Sequence, residues 1–66
     1  MIKIVKVTKE NGTVFTVAIN GRPYETQLAF DRLVRDYPVV RLLVETDELI
    51  EYSANEVLDA DKILGR

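Results

Sequence analysis

Any chemistry in this chain has to come from carboxylates, amines, guanidiniums and hydroxyls, because its 66 residues include no His, Cys or Trp. The commonest general acid/base is therefore missing. There is no thiolate nucleophile, and no imidazole or sulfur to hold zinc. The acids come closest to a motif. Asp47-Glu48 and Asp59-Ala60-Asp61 lack the alternating oxygen ligands and central glycine of a calcium loop, so they read as surface charge and predict no metal site. Two carboxylates at the right separation suffice for glycosidic chemistry, but no pattern here builds a cleft that would raise one carboxylate's pKa. The expectation is a protein that works by contact, with no catalytic residue and no cofactor.

The bases offer a second kind of chemistry. Lys3 and Lys9 on a first strand, with Arg32 and Arg35 at i, i+3 on a helix, would form a phosphate-binding patch if they converged. Tyr24 and Tyr52 are the aromatics left free to stack bases, since Phe15, Phe30 and Tyr37 fall at apolar positions. A pI near 5.0 makes nucleic-acid binding the alternative rather than the main reading. Charge is unevenly spread. Residues 1–44 carry seven basic and four acidic side chains, whereas residues 45–66 carry seven acids and two bases. The run Glu45, Asp47, Glu48 and Glu51 can be read as a surface that steers a basic or nucleic-acid-binding protein partner. Solvated turns that keep a small domain soluble would produce the same pattern.

These side chains sit on a chain that buries only about 60% of its unfolded surface at this length, which allows one domain over residues 1–66. With 47% hydrophobic and 30% charged residues, it belongs to the globular class. No apolar run approaches the ~20 residues of a membrane span. The absence of cysteine argues against a disulfide-stapled secreted miniprotein, and the N-terminus has no signal-like pattern, giving a cytoplasmic, intracellular expectation.

Residues 2–8 and 13–20 are β-branched and aromatic runs separated by Glu10-Asn11-Gly12, which predicts a hairpin. A tight two-residue Asn11-Gly12 turn would set Thr8 opposite Phe15 and Lys6 opposite Val17, whereas a longer loop over Glu10-Asn11-Gly12 with Gly12 left-handed sets Val7 opposite Phe15 and Val5 opposite Val17. That register gathers Val5, Val7, Phe15, Val17 and Ile19 on one face. Pro23 opens a helix over about 24–36 with Phe30, Leu33, Val34 and Tyr37 at i, i+3, i+4 and i+7 and Ala29 beside them, and Pro38 stops it. Residues 39–45 predict a third strand with Val40, Leu42 and Val44 on one face, and 49–53 a short fourth. The spacing Ser53-Ala54-Asn55-Glu56 has the form of a capping box and predicts a second helix over about 54–64, ended by Gly65.

The fold class is thus a small single-domain α+β protein, β-β-α-β-β(-α), with a four-stranded mostly antiparallel sheet and one helix packed on a face. The element order over residues 1–53, two hairpins flanking a helix, resembles the β-grasp domains, among them the immunoglobulin-binding domain of protein G and the ubiquitin-like proteins. Conjugation or sulfur transfer would need a terminal Gly-Gly. The ending Leu64-Gly65-Arg66 departs from it, so no such activity follows. A simple meander is the competing topology.

Val14, Ala18, Val39, Leu43 and Leu49 fall opposite the residues assigned to the core, so the second sheet face is apolar and needs a cover. Either the C-terminal helix folds over it with Val57, Leu58, Ile63 and Leu64, or another protein or a second copy does. The functional expectation is a non-catalytic protein-binding module, a small regulator or inhibitor of the kind viruses also encode. It would act through Glu45, Asp47, Glu48, Glu51, Leu43 and Val14 and associate with itself as a homodimer. A purely structural subunit of a homo-oligomer is a further alternative.

Overall fold

The two β-branched runs pair as the turn residues require. In the computed structural model, which describes residues 1–47 and 56–66, strands β1 (Ile2–Thr8) and β2 (Val14–Asn20) form an antiparallel hairpin. Gly12 takes φ 86°, a conformation that is strained for any side chain with a Cβ. The Gly12 N–H donates to the Lys9 carbonyl at 2.9 Å, and the Thr13 N–H donates to Asn11 Oδ1 at 2.9 Å. The resulting register sets Val7 opposite Phe15 and Val5 opposite Val17, as the longer loop predicts.

Helix α1 (Pro23–Asp36) starts on its proline and ends where Tyr37 turns extended ahead of Pro38. It packs on the sheet through Thr26, Ala29 and Leu33, with Phe30 and Tyr37 at the margins. Val34 does not join them and is half-exposed. At about 100° per residue, Val34 is rotated a quarter-turn off the arc that Thr26, Ala29, Leu33 and Tyr37 define.

Strand β3 (Val39–Thr46) lies antiparallel to β1 with a register shift between Ile4 and Val5. Leu42 pairs with Val5 and Val44 with Ile4, so Leu43 is an extra residue bulged from the ladder. The bulge reverses the side-chain phase of the strand. Val40 and Leu42 stay on the α1 side, while Val44 moves to the other face and packs with Ile2, Ile4 and Ala18. This corrects the expectation of one face for Val40, Leu42 and Val44.

The C-terminal segment departs most from expectation. The predicted strand over 49–53 lies outside the described residues, as do Ser53, Ala54 and Asn55. Glu56 does not sit in a helix: residues Glu56–Asp59 form β4, followed by a short helix α2 (Ala60–Leu64) ended by Gly65 at φ 75°. β4 adds parallel to β2, and the strand order is β3-β1-β2-β4. The sheet is mixed and the domain is α+β, and among the described residues it has one hairpin and no pairing of β3 with β4. The second hairpin expected of β3 with 49–53 lies outside the described residues, and β4 departs from a simple meander by adding parallel to β2.

α2 shares the face of α1. Ala60, Leu58, Ile63 and Leu64 join the core of Val5, Val7, Val17, Ile19, Ala29 and Leu33, so α2 does not cover the second sheet face. Gly21 fixes this placement, since a Cβ on it would meet the Ala60 Cβ at 3.1 Å. Among the described residues no helix is long and apolar enough to cross a membrane.

Candidate docking surface

Strand β3 is also exposed. Leu43 is 54% and Leu42 43% accessible, and Val39 is similarly open. Among the described residues β3 has β1 on one side and no strand on the other. A strand edge of this kind offers unpaired N–H and C=O groups beside apolar side chains.

One flank of α1 overlooks the same edge. Lys3 is only 4% accessible, and its Nζ donates to Gln27 Oε1 at 3.0 Å and to Glu45 Oε1 at 2.7 Å. This ion pair spans α1, β1 and β3 and satisfies a cation that would be costly to bury alone. Gln27 Nε2 in turn donates to Asp31 Oδ1 at 3.0 Å. Val34 follows at i+7 from Gln27, on the flank that faces β3. Val34, Leu42 and Leu43 are exposed apolar side chains on α1 and β3, with Glu45 on the α1 face of β3 and Arg41 on the opposite one.

The residues singled out from the sequence are distributed across the molecule. Glu45 is tied to Lys3, and Asp47 is exposed beyond the end of β3. Glu48 and Glu51 lie outside the described residues. Val14 and Leu43 are both open but not adjacent. Val14 aligns with Thr8 and Val39 in one row across the sheet, whereas Leu43 projects from the middle of β3.

The bases do not converge either. Burial removes Lys3 from any surface patch. Lys9 sets its Nζ 5.2 Å from the Phe15 ring centre, a cation–π contact at the hairpin. Arg32 and Arg35 both engage Asp36, at 3.0 and 3.5 Å. The hydrogen bond from Arg32, helped by Arg35, holds the Asp36 carboxyl below its ordinary 3.8. The sequence reading missed a different basic pair: Lys6 and Arg41 stand opposite each other on β1 and β3, both exposed. Only the strand pairing could have revealed it.

An open cleft of about 400 Å³ lies between the C-terminal end of α1 and the β2–β4 edge, floored by Phe15, Val17, Leu33, Tyr37, Leu58 and Ile63 and rimmed by Lys9, Asp36 and Glu56. Phe15 and Tyr37 meet edge-to-face at 5.9 Å in its floor. Among the described residues no group of three His, Cys, Asp or Glu side chains could hold a metal ion. Comparison with protein-family models, with curated proteins and with solved structures found no match.

Proposed function

We propose that this protein is a non-catalytic protein-binding module, a small regulator that docks through the β3 edge. The carrying observation is the exposure of Leu42 and Leu43 on a strand whose outer side has no neighbour among the described residues. Partners recognise such an edge by adding a strand, with main-chain hydrogen bonds giving affinity and alternate side chains giving specificity. Asp31, Arg41 and Glu45 would form the polar rim that orients the partner. A chain of 66 residues without cysteine is compatible with an intracellular setting, where folding does not rely on disulfides.

The nucleic-acid alternative has less to stand on, since Lys3 is buried and Arg32 and Arg35 share one carboxylate. The test is differential capture. Immobilised parent protein and Leu43→Asp are exposed to the same native lysate. The expected result is a bound protein retained by the parent and lost from the variant, whose circular dichroism matches the parent. Identical captured sets on the two proteins, or saturable turnover that survives repurification in a substrate screen, would overturn the reading.

A further inference from the structure

We propose that the occupant of the β3 edge is a second copy of this chain, with β3 pairing antiparallel to its counterpart about a two-fold axis that passes between Leu42 and Leu43. The proposal rests on the docking surface described above and names its partner. Antiparallel pairing about a two-fold axis keeps the two sheets' faces aligned, so residues placed opposite each other must project to the same side. The bulge makes β3 meet this condition at its own centre. Val40, Leu42 and Glu45 belong to the α1 face, Arg41 and Val44 to the other, and the phase reverses at Leu43.

With the axis between Leu42 and Leu43, Val40 lies opposite the partner's Glu45 and Arg41 opposite the partner's Val44. Each pair matches in face. The side a residue's N–H and C=O point to alternates with its side chain, so the ladder groups match as well. Leu42 and the partner's Leu43 then meet at the axis, burying the exposed apolar pair at the centre of the interface. Displacing the copies by one residue sets Val40 against Val44, or Arg41 against Glu45, with side chains on opposite faces. A displacement by two shortens the paired stretch. A bulge on an edge strand normally discourages pairing by twisting the strand away. Here the two bulges sit side by side at the axis and twist both copies alike. The continuous sheet that results has eight strands, and the two α1 helices lie on the same face with their Val34 flanks toward the junction.

The experiment uses the full chain, which has no native cysteine. Light scattering at micromolar concentration should give twice the 7.5 kDa chain mass, and Leu43→Asp should weaken dimerisation at least about tenfold, the effect of losing a central apolar contact. Register is read by mixing single-cysteine variants under mild oxidation. Mixtures of Leu42→Cys with Leu43→Cys, or of Arg41→Cys with Val44→Cys, should yield crossed disulfide dimers faster than Arg41→Cys with Leu43→Cys. A parent that stays monomeric, or a dimer that cross-links best out of register, overturns the proposal without needing any variant to fold. A monomeric parent that still loses a captured partner on Leu43→Asp would remove the second copy and leave the docking surface standing.

Discussion

The two edges of this sheet are built on opposite principles. β4 is four residues long, carries Glu56 and Asp59, runs parallel to its neighbour, and leads directly into α2, which is seated on the core by Ala60. β3 is twice that length, antiparallel, bulged at Leu43, and presents leucines to solvent. Short, charged edges resist strand addition and long apolar ones invite it. Among the described residues, then, the two strands that flank the hairpin differ in length, charge and direction, and only β3 has the character that strand addition favours.

The severest way to break the contrast is to remove what both edges share. Ile19 is fully buried, pairs with Lys3 on one side and Leu58 on the other, and lies in the core beneath α1 and α2. Ile19→Ala should cost about 2–5 kcal/mol, a large part of the stability of so small a domain. A urea titration checks this, and a change within experimental error would show that the two edges do not depend on a common core.

The closed edge can be opened separately. Ala60→Leu should overpack the contact against Gly21 and cost about 1–3 kcal/mol. Hydrogen exchange should report early opening of the 56–64 amides while those of β1 and β3 stay protected. Uniform loss of protection would mean that β4 is not an independent latch.

On the open side, Glu45→Gln leaves the buried Lys3 ammonium with only neutral acceptors. A loss of about 1–2 kcal/mol is expected, below that of a fully buried pair because Glu45 is itself half-exposed. Lys3→Met in the same background should recover part of it, because no unpaired charge then remains. An additive pair of effects would count against the ion pair as the link between α1 and β3.

The smallest effect belongs to Asp36. Its folded pKa lies below the ordinary 3.8, chiefly through the Arg32 hydrogen bond. It therefore contributes stability that is fully present above 3.8 and is lost as pH falls through the lowered folded value. The difference in stability between the parent and Asp36→Asn should be constant at neutral pH, shrink in acid, and decline with added salt. A difference that grows on acidification would contradict that sign.

Much of the local structure was legible in the residues themselves. Asn11-Gly12 between β-branched runs specified the hairpin and its register, because a left-handed glycine leaves only one pairing that gathers the apolar residues on one face. Pro23 and Pro38 bracketed α1, since proline fits a helix's first turn and disfavours helical geometry just before it. The apolar character of β3 was equally plain. The partition of Val34 and Val44 was not, because periodicity gives the phase of an element but not the arc that neighbouring elements cover.

The sequence by itself determined the hairpin with its apolar face, the first helix and the lack of imidazole and thiol chemistry, all of which depend on residue types or on residues near one another in the chain. Tertiary structure decided the rest. The bulge at Leu43 exists only because β3 must match β1, and Lys3 is buried only because Gln27 and Glu45 arrive from distant elements to satisfy it. Glu56–Asp59 is a strand rather than helix because β2 offers it an open edge. In each case a hydrogen-bonding partner far away in sequence outweighed a weak local preference, and that is why the exposed β3 edge could not be read from the residues alone.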